Sequence, residues 1–188
     1  MSERPPGMLV LVVGPSGVGK DTMITGARQA LDADKRFSFV RRLVTRPTDL
    51  DLEDHLSIEP EEFRAAQKAG RLALTWEAHG LHYALPINVD TDLALGRIVI
   101  ANVARHAVAE ASAKYPTCRV IMISAEISLR AERLSRRGRE TRDQITARLA
   151  REGAALPADV SPIVIDNSSS VSNGITAFVM ALRALSQE

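Results

Sequence analysis

The stretch that decides the fold reads Gly14-Pro-Ser-Gly-Val-Gly19-Lys20-Asp21-Thr22 and follows the apolar run MLVLVV at residues 8–13. A continuous apolar run of this length is typical of a buried central strand in a parallel sheet. Residues 21–31, which come next, carry apolar side chains at helical spacing. A glycine-rich turn between a strand and a helix lets backbone N–H groups converge on an anion at the positive end of the helix. The stretch therefore predicts a phosphate-binding loop.

The loop departs from the pattern G-x-x-x-x-G-K-[ST] only at its last position, where Asp21 replaces the hydroxyl that normally binds Mg²⁺. A carboxylate beside a triphosphate repels it unless a cation lies between them, so we predict that Asp21, with Thr22 as a supplementary ligand, binds Mg²⁺ or one of its waters. The alternative is an acid that only stabilises the helix dipole. Lys20 is predicted to contact the β- and γ-phosphates of ATP. The predicted ATP-binding residues are Gly14, Pro15, Ser16, Gly17, Val18, Gly19, Lys20, Asp21 and Thr22.

Four further apolar runs, at residues 39–45, 97–102, 119–124 and 162–166, alternate with helical patterns along the chain. This alternation predicts an α/β fold of the P-loop NTPase type, with a five-stranded parallel sheet and helices on both faces. The predicted helices span residues 21–31, 60–69, 104–114, 128–136, 142–151 and 171–185.

Residues 46–88 do not follow the alternation, because they contain one helical pattern and two short strand-like pieces, at 72–76 and 81–83. We interpret them as an insertion that caps the sheet and binds the phosphate acceptor. Residues 1–188 are then one domain, with a core at 8–45 and 97–188, the insertion at 46–88 and a helical lid at 130–151.

Composition restricts the classes of function. The chain has 188 residues, of which 45% are hydrophobic, with 24 Lys and Arg against 23 Asp and Glu. This balance gives no support for a nucleic-acid partner, and no apolar run has the roughly 18 residues that a membrane span needs. The single cysteine, Cys118, cannot form an internal disulfide, which favours a reducing compartment. A cytoplasmic protein without a membrane or nucleic-acid partner is expected, and its oligomeric state stays open.

Arginines are concentrated between residues 130 and 151, where there are eight of them and only three acids. Guanidinium groups on a mobile segment can close over the charge that spreads across a transferred phosphoryl group. We predict that Arg133, Arg137 and Arg148 act in catalysis together with Lys20, with Arg142 behind them. A solvated basic helix face is the alternative for about half of these arginines.

The predicted insertion combines acids, arginines and aromatic residues. Residues 49–62 contain seven acids and neither Lys nor Arg, but Arg41, Arg42 and Arg46 precede them, which suggests acceptor phosphate on the arginines and sugar hydroxyls on the carboxylates. Residues 76–83 look like a pocket wall, although core packing is the better prediction for Trp76 alone. At the end of the run 97–102, Asn102 stands where a metal-binding carboxylate is usual. The predicted acceptor-binding residues are Arg42, Arg46, Asp54, His55, Glu77, His79, His82, Tyr83 and Asn102.

Several motifs resemble those of guanylate-kinase-type nucleoside monophosphate kinases. They are GPSGVGKD at 14–21, VTRP at 44–47, EDH at 53–55, HGLHY at 79–83, and RRG at 136–138 followed by RL at 148–149. Two positions argue against GMP as the acceptor. Asp49 stands where those kinases have a second arginine, and His55 stands where they have a tyrosine that contacts phosphate.

Within that superfamily the chain is more similar to the ribose 1,5-bisphosphate phosphokinases, in GKD at 19–21, TRP at 45–47, EDH at 53–55, the segment 76–83 and RGRE at 137–140, although Ala84 replaces their usual glycine. The resemblance implies ATP-dependent conversion of this phosphorylated sugar to 5-phospho-α-D-ribose 1-diphosphate during phosphonate breakdown. An anomeric phosphate is already ionised, so no general base is needed and the histidines act as orienting donors. The alternatives are a nucleoside monophosphate kinase, a sugar-hydroxyl kinase with Asp21 as base, and a non-catalytic binding module.

Overall fold

The computed structural model describes residues 6–46, 55–136, 141–150 and 155–187, without the side chains of residues 142, 148 and 150. The strands within these ranges are β1 (Met8–Val13), β2 (Phe37–Val40), β3 (Arg42–Val44), β4 (His55–Ser57), β5 (Leu72–Ala78), β6 (Leu81–Pro86), β7 (Ile98–Asn102), β8 (Cys118–Ser124) and β9 (Ile163–Asp166). The helices are α1 (Lys20–Ala30), α2 (Pro60–Lys68), α3 (Asn88–Ala94), α4 (Val108–Lys114), α5 (Ile127–Arg136), α6 (Arg142–Ala150) and α7 (Val171–Leu185), and a 3₁₀ turn, Arg105–Ala107, precedes α4.

A five-stranded sheet in the order β2-β7-β1-β8-β9 forms the centre of the molecule. Each neighbouring pair is parallel, with Val10 of β1 opposite Ile100 of β7 and Arg119 of β8. Strand β1 lies in the middle and is almost entirely inaccessible to solvent, as its uninterrupted apolar run requires. The predicted α/β fold with a parallel sheet is confirmed.

Two apolar clusters cover the two faces of this sheet. Val10 and Val12 of β1 pack with α1 and α7 on one face, around the fully buried Phe178. Leu9, Leu11 and Val13 face the other way and pack with α4 and with residues of a second sheet. Helices therefore lie on both faces, as predicted. Of the helices in the described ranges, none combines the length and apolar character that crossing a bilayer demands.

The second sheet has four strands in the order β4-β3-β6-β5. It contains the two strand-like pieces predicted at 72–76 and 81–83, which form a hairpin with a two-residue turn at His79 and Gly80. The two turn residues have φ values of 54° and 73°, which suits the type I′ geometry that matches the twist of hairpin strands.

The prediction of one strand over residues 39–45 is wrong. The chain leaves the central sheet after Val40, and Arg42–Val44 pair with β4 and β6 of the second sheet instead. Arg41 between them is exposed, so a single polar residue marks the transfer between sheets. The second sheet thus begins at Arg42, a few residues before the predicted insertion at 46–88.

Candidate nucleotide and acceptor site

The glycine-rich loop connects the end of β1 to the first turn of α1, at the carboxyl edge of the central sheet, where open α/β sheets bind ligands. Gly19 precedes the helix in a left-handed conformation with φ 90°, which a residue with a side chain adopts only under strain. Lys20 begins the helix, so the first N–H groups of α1 have no partner within the helix. This arrangement is suited to a phosphate group.

Lys20 bends back over its own loop. Its Nζ donates hydrogen bonds to the carbonyl oxygens of Gly14 at 2.8 Å and Pro15 at 3.2 Å. The ammonium group therefore lies at the entrance of the loop, half-buried, beside the backbone that would surround a phosphate. A polyphosphate that enters would replace neutral carbonyl acceptors with charged oxygens, which form stronger hydrogen bonds.

Asp21 and Asn102 meet although they are far apart in sequence. Asn102 ends β7, is buried, and donates from Nδ2 to Asp21 Oδ1 at 2.8 Å. Thr22, next to Asp21 in α1, is exposed. The described residues contain no group of three or more His, Cys, Asp or Glu side chains that could hold a metal by themselves. One oriented carboxylate and a hydroxyl fit Mg²⁺, which usually takes one or two protein oxygens and completes its shell with phosphate and water.

The first turns of α5 lie against the loop. Arg130 is buried, and its Nε donates to the Ser16 carbonyl at 3.0 Å. Burial, together with the nearby positive charge of Arg105, lowers the pKa of Arg130 from its usual value. Arg133 donates to the Val18 carbonyl at 3.4 Å and to the Asn167 carbonyl at 2.9 Å. Arg133 thus contacts the loop, and its catalytic role stays a prediction.

One face of the second sheet carries several of the predicted acceptor-binding residues. Val44 pairs with Tyr83 and Arg42 pairs with His55, and the period of two along a strand puts these four side chains on the same face. The Arg42 guanidinium lies 6.0 Å from the centre of the Tyr83 ring, and Tyr83 stacks on Trp76. His55 is buried, and Arg46, just beyond β3, is half-buried. This face combines cationic and aromatic groups.

Trp76 and Tyr83 belong to the apolar cluster that also contains Val13, the residue before the loop. The cationic face of the second sheet therefore packs toward the end of the central sheet that carries the phosphate-binding loop. Trp76 is itself buried, in agreement with the prediction of core packing for that residue.

The chain is 44% identical over 184 residues to "Ribose 1,5-bisphosphate phosphokinase PhnN" of Brucella abortus biovar 1, with 98% of this chain and 96% of that protein covered. It is 45% identical over 179 residues to the protein of the same name from Methylobacterium radiotolerans, covering 95% of this chain and 99% of the relative. The chain belongs to the ribose 1,5-bisphosphate phosphokinase family. No family model matches.

A solved structure supports the P-loop kinase fold of this phosphokinase family member. The crystal structure of guanylate kinase from Anaplasma phagocytophilum superposes with a TM-score of 0.69 over 95% of this chain and 86% of that one. Its sequence identity is 16%, so the likeness concerns the fold.

Not all of the residues predicted for acceptor binding in this phosphokinase family member come together. Glu77 pairs with His82, with 3.3 Å between His82 Nδ1 and Glu77 Oε1, on the face of the second sheet opposite to Tyr83. There His82 contacts Phe63 of α2. His79 is exposed at the hairpin turn. The period of two along β5 and β6 is the sequence signal that separates these residues into two groups.

Four predicted residues lie outside what the structure describes. Asp54 and Arg137 are outside the described ranges, and Arg142 and Arg148 belong to α6 without described side chains. Conversely, Arg130 and Asn167 touch the phosphate-binding loop and are absent from the predicted site residues. Both contacts join residues more than 100 positions apart, so local spacing in the sequence gives no signal for them.

Proposed function

We propose that this protein is an ATP-dependent ribose 1,5-bisphosphate phosphokinase that forms 5-phospho-α-D-ribose 1-diphosphate and ADP. The observation that carries the proposal is 44% identity to a relative of that name over 98% of the chain. Because the phosphate donor is ATP, we place the reaction in the cytoplasm.

ATP binds with its phosphates in the loop formed by residues 14–22. In this proposal Lys20 leaves the carbonyls of Gly14 and Pro15 and contacts the β- and γ-phosphates. Asp21, oriented by Asn102, and Thr22 hold Mg²⁺, which neutralises charge between the phosphates. Arg133 supplies a guanidinium group to the transferred phosphoryl, and we propose Arg137 and Arg148 for the same role on sequence grounds.

The acceptor binds against the cationic face of the second sheet. Arg42 and Arg46 hold a phosphate of the sugar, while His55 and Tyr83 donate hydrogen bonds to it. Asp54 accepts from a sugar hydroxyl. Glu77, His79 and His82, which lie at the turn and on the opposite face, are weaker candidates for direct contact. The attacking oxygen belongs to an ionised phosphate, so these residues orient the acceptor and no side chain has to remove a proton.

The experiment that tests this function is an ADP-release assay with ATP held constant and acceptors compared at equal concentration. The acceptors are ribose 1,5-bisphosphate, ribose 5-phosphate, ribose 1-phosphate and GMP. Turnover of the bisphosphate at a kcat/KM at least about 100-fold above the others is expected. Ribose 5-phosphate lacks the accepting phosphate, and ribose 1-phosphate lacks the second phosphate that Arg42 and Arg46 would hold. Turnover of GMP alone would contradict the proposal.

A further inference from the structure

Asn167 lies outside the loop and contacts the nucleotide site with both its backbone and its side chain. It follows β9, is 3% exposed, and donates its backbone N–H to the Ser124 carbonyl at 2.8 Å. Its side-chain Nδ2 donates to the Val18 carbonyl in the loop at 2.7 Å, and its own carbonyl accepts from Arg133 Nη2 at 2.9 Å. Asn167 therefore joins the loop to the arginine of α5.

Holding the Val18 carbonyl has a direct consequence for phosphate binding. The peptide group between Val18 and Gly19 is planar and trans, so its C=O and its N–H point in opposite directions. Asn167 and Arg133 both donate to this oxygen, which fixes it on the outer side of the loop. The Gly19 N–H is then directed to the inner side, where a phosphate would accept its hydrogen bond.

Two glycines leave the space that Asn167 occupies. A Cβ atom added to Gly19 would lie 2.7 Å from Asn167 Nδ2, and one added to Gly174 of α7 would overlap Asn167 Oδ1. Any side chain at either position would therefore displace the amide from the Val18 carbonyl. The amide is held from both sides and has a single position.

The amide also carries a cost in folding free energy. Asn167 Oδ1 is buried and accepts no hydrogen bond within the described part of the chain. An unsatisfied buried acceptor lowers the stability of the fold. The amide must nevertheless keep Nδ2 toward the Val18 carbonyl, because Oδ1 in that place would repel the carbonyl oxygen. The hydrogen bond from Nδ2 to the loop explains why the unsatisfied Oδ1 is tolerated.

We propose that Asn167 is a positioning residue for ATP: by binding the Val18 carbonyl from the outer side of the loop, together with Arg133, it directs the Gly19 N–H toward the phosphate. The inference rests on the proposed binding of ATP in the loop. It is independent of which acceptor the enzyme uses.

The test uses two variants that disturb the amide in different ways. Asn167→Leu removes the donor at similar volume, and Gly174→Ala leaves Asn167 intact but pushes it away from Val18. Gly26→Ala is the matched control, because Gly26 also lies in a helix at the contact between α1 and α7 but its added Cβ meets the Ile175 side chain instead of the Asn167 amide. ATP affinity is measured by calorimetry without acceptor, and KM for ATP and for the acceptor are measured separately.

Asn167→Leu and Gly174→Ala should each weaken ATP binding about tenfold, the effect of one well-placed hydrogen bond, and raise KM for ATP in parallel. KM for the acceptor should stay within about twofold, and Gly26→Ala should leave ATP affinity within about twofold. Asn167→His or Asn167→Gln should recover part of the affinity if the restored N–H reaches the carbonyl. Unchanged ATP affinity in both variants, or an equal rise of both KM values, would overturn the inference. Failure of the wild-type protein to bind ATP would instead contradict the proposed function.

Discussion

At the scale of single residues, Lys20 is in a position to exchange one set of partners for another. Its ammonium group donates to two neutral carbonyls of its own loop, and phosphate oxygens would form stronger, charge-assisted hydrogen bonds with it. We predict that Lys20→Ala lowers kcat/KM by at least about 100-fold, as is usual when a charged donor to the transferred group is removed. The melting temperature without nucleotide should change little. Steady-state kinetics within about fivefold of wild type would show that the lysine does not act on phosphate.

Two different substitutions of Asn102 test the metal role proposed for Asp21. Asn102→Ala releases the Asp21 carboxylate, so the Mg²⁺ concentration for half-maximal activity should rise about fivefold. Asn102→Asp places two carboxylates within hydrogen-bond distance, which repel each other unless a cation lies between them. This variant should melt at a lower temperature than wild type without Mg²⁺ and recover more of its stability when Mg²⁺ and ATP are added. A Mg²⁺ titration of activity and of melting temperature measures both effects, and identical titrations for all three proteins would refute the metal role.

At the scale of elements, the first turns of α5 form part of the wall of the nucleotide site. A Cβ at Gly17 would lie 3.0 Å from the Arg130 carbonyl, which shows how closely helix and loop approach. Arg130 Nε holds the Ser16 carbonyl as Asn167 holds that of Val18. Arg136 on the same helix is exposed and pairs with Glu132 at 2.6 Å. The two arginines therefore differ in function although they occupy one helix.

We predict that Arg130→Met raises KM for ATP about fivefold, because it removes the hydrogen bond to the loop. Arg136→Met, the matched control, should change it by less than about twofold, since exposed pairs contribute little. Arg130→Lys keeps the charge but not the Nε donor, so it separates the two contributions. If Arg130→Lys binds ATP like wild type while Arg130→Met does not, the positive charge and not the hydrogen bond carries the effect.

The loop can be predicted from the sequence, whereas the contact that Arg130 of α5 makes with it cannot. The loop and the parallel sheet follow from local patterns, because a β-turn-helix unit is encoded in consecutive residues. The move of the chain from the central sheet to the second sheet at Arg41 does not follow from local patterns. Residues 39–45 have the pattern of a single strand, and they are divided only because the first part pairs with β7 and the second part pairs with β4 and β6. Arg130 and Asn167 are likewise defined by contacts distant in sequence. The two faces of the hairpin, in contrast, follow from the period of two that places Glu77 and His82 opposite Tyr83.

At the scale of the whole molecule, the second sheet is joined to the central sheet through polar contacts around Tyr115. Its hydroxyl donates to Asp90 Oδ1 of α3 at 2.6 Å and lies 3.3 Å from the Ala73 carbonyl of β5. Lys114, at the end of α4, donates to the same carbonyl at 2.6 Å. Tyr115 thus connects the end of α4, which covers the central sheet, with β5 of the second sheet and with α3. Movement of the second sheet relative to the central sheet therefore requires these hydrogen bonds to break.

The contacts of Tyr115 make the free energy of unfolding depend on pH. Burial and the neighbouring Asp90 carboxylate raise the pKa of Tyr115 above its usual value, so the folded protein keeps the phenolic proton at pH values where the unfolded chain loses it. The contribution of Tyr115 is therefore complete below about pH 10, the pKa of an unfolded tyrosine, and is lost as the pH rises through the higher pKa of the folded state. Tyr115→Phe should lower the free energy of unfolding by about 1–2 kcal/mol at pH 8, measured by urea denaturation. The difference from wild type should shrink as the pH rises above about 10. A difference that stays constant between about pH 8 and pH 11 would mean that the phenolic proton does not couple the two sheets.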